Sequence, residues 1–170
     1  MVCIKGDCFI RFFRHGNRKW LALHILQIYP LPGGQVFRSG HLSDFHGKKL
    51  VLYFYPKDMT SGCTAQACNL RDNYGELQAQ GFEVLGVSVQ DEKSHTKFIE
   101  KNNLPFHLIA DTDLTLNQAF GTWGEKSMYG RKYFGTFRTT FIINEEGIVE
   151  RIITPKQVKT KEHAKQILGA

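Results

Sequence analysis

The chain has 170 residues, 42% hydrophobic and 12% aromatic, enough for one domain with a substantial core and short for two. Its formal charge of +6 would suit nucleic acid, but residues 1–40 hold six Lys/Arg against Asp7 alone, whereas the other 130 residues carry 16 basic and 15 acidic side chains. The basicity belongs to the leader, so no nucleic-acid partner is expected. No run reaches the roughly 20 apolar residues of a membrane span, and the nearest, residues 20–31, is broken by His24, Gln27 and Pro30.

In chain order, residues 1–33 stand apart. They are basic, acid-poor and then apolar, a faint likeness to a targeting segment, but no small-residue cleavage pattern follows and serine is absent before Ser39. They read as a disordered arm or a misassigned translation start, leaving residues 34–170 as a single domain. Residues 50–55 form a continuous apolar run bounded by Gly47 and Pro56, as in a strand buried on both faces. Ala67, Leu70, Tyr74 and Leu77 then recur at helical spacing from Cys63 until Gly81, which predicts one helix with its stop.

Residues 82–89 predict a second strand. Asp91 caps a helix running to the Asn102-Asn103 stop, beyond which Pro105 forbids continuation. Residues 106–110 predict a short strand, followed by a helix capped by Asp111 or Asp113 and ended at Gly121. Residues 138–143 and 148–153 are β-rich runs joined by Asn144, Glu145, Glu146 and Gly147, which is hairpin chemistry. A last helix covers residues 160–168. Alternating strands and helices followed by a hairpin and a helix predict an α/β chain with a thioredoxin-like fold, a central mixed β-sheet flanked by helices.

The chemistry concentrates after the first strand. Cys63 falls in the first turn of a predicted helix, where unpaired amides and the helix dipole favour thiolate, the reactive form. Cys68, five residues on, gives an oxidised first sulfur something to condense with. In a continuous helix those two Cα atoms stand roughly 8–9 Å apart and their side chains point about 140° apart, beyond the reach of a disulfide. The start of the helix must therefore unwind before the pair can close. Taken alone, Cys68 could instead be packed, Thr60 a helix cap and Arg138 a strand-edge ion pair.

Pro56, Thr60 and Cys63 form P-x-x-x-T-x-x-C. With the stretches 42–45, 53–58, 71–74, 123–130 and 138–142, the chain resembles the peroxiredoxins, in their bacterioferritin-comigratory or Q-type branch, over residues 42–168. The resemblance implies that Cys63 is the peroxidatic nucleophile, attacking the O–O bond to give a sulfenic acid. Cys68 would be the resolving cysteine. Thr60 would hold peroxide and sulfur in register, Arg138 would favour thiolate and take up charge as the O–O bond breaks, and Pro56 would cover the pocket. Trp123 and Tyr129 are taken as scaffold beside the pocket.

The resemblance further implies hydrogen peroxide and alkyl hydroperoxides as substrates, thioredoxin as reductant and a bacterial cytoplasmic setting. An intramolecular pair removes any chemical need for a dimer, so a monomer is expected. No cofactor is expected: the seven histidines are scattered outside metal-ligand spacing, and heme, flavin and nucleotide fingerprints are absent. The leader departs from the family pattern, and Cys3 and Cys8 share the five-residue spacing without the rest of the motif. Three other readings remain: a one-cysteine peroxidase, separable by Cys68→Ser; a redox-sensing or chaperone-like module, which would not consume peroxide catalytically; and, a distant third, nucleic-acid binding by the basic leader, for which deleting residues 1–33 would abolish salt-sensitive binding.

Overall fold

The computed structural model describes Phe45, residues 47–128 and residues 130–169; the readings of the leader, of Cys3 and Cys8 and of Tyr129 lie outside them. Strand β1 (Lys49–Phe54) is followed by helices α1 (Ser61–Asp72) and α2 (Tyr74–Ala79), strand β2 (Phe82–Ser88), helix α3 (Glu92–Asn102), strand β3 (His107–Ala110) and helix α4 (Thr115–Ala119). Then come β4 (Trp123–Met128), β5 (Arg131–Thr136), β6 (Thr139–Ile143), β7 (Val149–Ile153) and α5 (His163–Leu168). The five-stranded sheet runs β3-β2-β1-β6-β7, and β4 and β5 form a separate two-stranded sheet. β1 pairs parallel with β2 and antiparallel with β6, so the central sheet is mixed as expected. Among the described residues no helix is long and apolar enough to cross a membrane.

Alternation along β1 divides the core. Val51, Tyr53 and Tyr55 face a layer built with Ala67, Leu70, Leu77, Phe98 and Ile167 from α1, α2, α3 and α5. Leu50, Leu52 and Phe54 face the other side, where they meet Leu116, Phe120 and Phe141. Both faces of β1 are covered, the physical reason its sequence is an unbroken apolar run.

Two expectations need correction. The single helix predicted to run to Gly81 is broken at Asn73 (φ −112°, ψ 14°), whose side-chain amide donates to the Asn69 carbonyl at 2.8 Å. A short polar side chain competing for backbone carbonyls interrupts the ladder there; Gly81, at φ +81°, still makes the final stop. Residues 123–136, to which no strand was assigned, form the β4–β5 hairpin, turned through Gly130 at φ +77°. Its charged, glycine-bearing strands lack the apolar alternation that announces a half-buried pair. Elsewhere the capping logic holds: the Asp91 carboxylate accepts from the Ser94 amide, and both Asp113 and Asp111 take up amides at the start of α4.

His163 opens α5 and is fully buried against β6. Its Nδ1 stands 3.3 Å from Gln166 Oε1, which only accepts, so Nδ1 carries the proton and Nε2 accepts from the Thr140 hydroxyl at 2.9 Å. Burial pushes this imidazole down to about 4, with Gln166 pulling upward and the charge of Arg138 pressing further down. An unfolded His titrates at about 6.5, so between there and the folded value the unfolded chain binds more protons and stability is lost as the pH is lowered. Urea unfolding followed from about pH 7 to about pH 4.5 is expected to lose up to ~1.4 kcal/mol per pH unit from this one group. His163→Gln is expected to flatten that slope; an unchanged slope would assign it elsewhere.

Candidate active site

The site is built where β1 ends. Thr60 caps α1 in an extended conformation, its carbonyl accepting from the Thr64 amide at 2.8 Å, which puts Cys63 at the third helical position. The amides of the first turn there have no intrahelical acceptor. The Cys63 side chain is nevertheless buried, 2% exposed, beneath the helix.

Arg138 reaches it from 75 residues away. The antiparallel register sets Phe54 opposite Thr139, so the residue just before β6 lies beside the chain leaving β1 for the active loop. Arg138 Nη2 donates to Cys63 Sγ at 3.2 Å, and Nη1 donates to Gln66 Oε1 one turn further along α1. The guanidinium is thus a permanent cation fixed beside the sulfur by two directed bonds. Gly62 leaves room for it: a Cβ at that position would stand 3.3 Å from Arg138 Nη2, tighter than ordinary contact.

The structure treats the other sequence-predicted residues differently. The Thr60 hydroxyl does not cap the helix; it donates to the Lys57 carbonyl at 3.1 Å, which leaves its oxygen able to accept. Pro56 is half-buried at the head of the loop. Cys68 lies on the same helix, half-buried, but turns away from Cys63, its thiol toward Asn102 Oδ1 on α3 at 3.7 Å. Neither cysteine is in a disulfide. Trp123 is half-buried in β4.

Sequence reasoning missed two residues. Gln66 is fully buried and shares Arg138 with Cys63, and its i+3 spacing from the cysteine on one helix face was the available signal. Lys126, within the 123–130 stretch, donates to the Thr136 carbonyl at 2.9 Å and lies over the Phe137 ring at 5.6 Å. Burial pushes its ammonium down, as does the nearby charge of Arg138, while Cys63 pulls it up. A second cation thus sits within electrostatic reach of the sulfur. Among the described residues no group of three or more His, Cys, Asp or Glu could hold a metal ion.

Comparison with known proteins follows the same lines. Residues 30–152 match the AhpC/TSA family. The chain is 43% identical over 129 residues to peroxiredoxin Bcp of Escherichia coli K12, covering 76% of this chain and 81% of that protein. Among solved structures, a peroxiredoxin Q from Xanthomonas campestris superposes with a TM-score of 0.75 at 36% identity, covering 86% of this chain and 87% of that one. The bacterioferritin comigratory protein of the same organism, solved as trapped intermediate and ligand complexes bearing on its alkyl peroxide reduction activity, gives a TM-score of 0.78 at 32% identity, covering 92% and 96%.

If the guanidinium geometry matters beyond its charge, Arg138→Lys will not substitute for it, because one ammonium cannot reproduce the paired bonds to Cys63 and Gln66. Alkylation of Cys63 by iodoacetamide near neutral pH is expected to slow on the order of tenfold in Arg138→Lys and further in Arg138→Ala. A lysine variant alkylated as fast as wild type would reduce the requirement to charge alone.

Proposed function

The chain belongs to the AhpC/TSA family, in the Bcp or Q branch of the peroxiredoxins, and is a thiol peroxidase; within that family we propose that Cys63 is its nucleophile, Cys68 its resolving thiol and thioredoxin its reductant. The observation that carries the reading is the buried Cys63 sulfur, in the first turn of α1, accepting a bond from Arg138 at 3.2 Å. The Cys63 thiolate attacks one peroxide oxygen, the O–O bond breaks, and the departing oxygen leaves as water or an alcohol once protonated, giving a Cys63 sulfenic acid. Arg138 takes up charge on the departing oxygen, Thr60, whose own hydrogen goes to Lys57, accepts from the peroxide, and Pro56 excludes water from the pocket.

Resolution needs movement. The Cys68 thiol attacks the sulfenic sulfur, releasing water and forming a Cys63–Cys68 disulfide that a dithiol such as thioredoxin reduces. Since α1 is continuous through both residues, its first half must unwind. The anchors of α1 support that division. Asn69 bonds the Lys161 carbonyl and the Ala164 amide of the α5 segment, Arg71 bonds the Asn102 carbonyl and Leu70 is fully buried, whereas Ser61 and Gly62 are not buried. Unwinding through residue 68 leaves the anchored half in place.

Hydrogen peroxide and alkyl hydroperoxides are the proposed substrates, the latter from the activity attached to the Xanthomonas relative. The intramolecular pair needs no second subunit, so we take the working form as a monomer, in a bacterial cytoplasm where thiols stay reduced.

The deciding experiment is the mass of wild type and Cys68→Ser after one equivalent of hydrogen peroxide, without reductant and with peptide mapping. Wild type is expected to lose two hydrogens mapped to Cys63 and Cys68; the variant is expected to hold a trappable sulfenic acid on Cys63 and to lose turnover with thioredoxin. Amide hydrogen exchange over residues 61–68 is expected to rise on oxidation. An unreactive Cys63 would overturn the reading, and an oxidised protein with α1 fully protected would overturn the unwinding step.

A further inference from the structure

Asp58 lies in the loop between β1 and α1, two residues before Thr60, and its side chain is 1% exposed. Oδ1 accepts from the Tyr55 hydroxyl at 2.8 Å, and Oδ2 accepts from the Ser94 hydroxyl at 2.6 Å and faces His95 Nδ1 at 2.9 Å. On the far side of the ring, His95 Nε2 stands 3.2 Å from the Ile109 carbonyl oxygen, and the Tyr55 hydroxyl lies 3.4 Å from Nδ1. His95 is 4% exposed. Burial works against the Asp58 charge, but the bonds from His95, Ser94 and Tyr55, with the His95 charge, hold the carboxyl below its usual range. The carboxylate and the Ile109 carbonyl are both acceptors, so the ring lies between two acceptors, with Nδ1 toward Asp58.

A buried charged pair is weak evidence for stability, since well-packed apolar residues often serve as well. Its place in the chain suggests another use. Met59, between Asp58 and Thr60, has φ +59°, a left-handed conformation that L-residues rarely adopt, and its side chain is 43% exposed. Such strain persists where the surroundings over-determine it. The hold therefore comes from the neighbours: Asp58, tied to β1 through Tyr55 and to α3 through Ser94 and His95, and Thr60, tied back to Lys57.

We propose that Asp58 and His95 form a buried hydrogen-bonded pair that positions the 56–60 loop, and with it the Thr60 hydroxyl, for in-line attack of Cys63 on peroxide. Both are positioning residues, and the inference rests on the roles proposed above for Cys63 and Thr60. Alkylation of Cys63 reports on thiolate and access but needs no O–O bond held in line, so it separates positioning from folding.

Rate constants for Cys63 with hydrogen peroxide and with iodoacetamide, measured on wild type, Asp58→Asn, His95→Gln and Ser94→Ala, test the proposal. The peroxide reaction is expected to fall on the order of tenfold to a hundredfold in the Asp58 and His95 variants and less in Ser94→Ala, with alkylation within about twofold of wild type. Peroxide rates near wild type, or equal loss of both reactions, would overturn it. On unmutated protein, nitrogen NMR is expected to show a proton on His95 Nδ1 held in a hydrogen bond to Asp58; a ring with no such bond would overturn the proposal even if the variants do not fold. A wild-type Cys63 inert to peroxide would instead overturn the functional reading itself, and this inference with it.

Discussion

The contact on which the proposed active site depends is the bond from Arg138 to the Cys63 sulfur. Neither residue could arrange it alone. Cys63 is placed by the step from β1 into α1, with Thr60 as the turning point, and Arg138 by the strand that pairs antiparallel to β1 on its other side. β1 is where the sheet changes from parallel pairing with β2 to antiparallel pairing with β6. The C-terminal end of β1 and the start of β6 therefore open at the same edge of the sheet. Chain leaving one strand and chain entering the other meet there, which is how a cation 75 residues distant comes to lie 3.2 Å from a buried thiol.

The guanidinium is itself oriented from several sides. Gln66 takes its second bond and Gly62 clears the approach. The β4–β5 hairpin ends at Thr136, two residues before Arg138, and Lys126 from its first strand holds the Thr136 carbonyl and covers Phe137. Lys126 and Arg138 are like charges at close quarters, a costly arrangement unless an anion shares the neighbourhood. On the proposed chemistry a Cys63 thiolate is such an anion, which would give the small sheet an electrostatic role.

What could be read from the sequence was what local chemistry determines. The unbroken run of β1, the Asp91 cap, the Asn103 and Gly81 stops and the 144–147 turn each depend on residues within a few positions of one another, and each stands as expected. Cys63 was legible because its helix start and its motif are contiguous. Asn73 broke a helix whose apolar spacing ran straight through it, because periodicity records the buried face and not the side chain that takes a backbone carbonyl. The β4–β5 hairpin carries little apolar alternation, since Arg131, Lys132, Tyr133 and Phe134 are all exposed. Asp58 and His95 were invisible for a different reason: two ordinary residues 37 apart become a pair only when α3 packs across the loop.

On the proposed chemistry the Arg138 bond also bears on how one helix can both hold its nucleophile and release it. In the reduced protein the first half of α1 is held inward by Cys63, Gln66 and Ala67, of which the first two are bonded to Arg138. Ala67 is small, so that half buries little apolar area, and two of its three inward side chains are bonded to the guanidinium. On the proposed chemistry, oxidation converts an anionic sulfur into a neutral sulfenic acid, and a charge-assisted bond becomes a weaker one. The contact that favours the reactive thiolate is thus also the contact that slackens once the thiolate has reacted. Beyond it, Asn69, Leu70 and Arg71 are tied to α5, the core and α3 by contacts that do not involve the sulfur's charge, so the loosening ends just past Cys68.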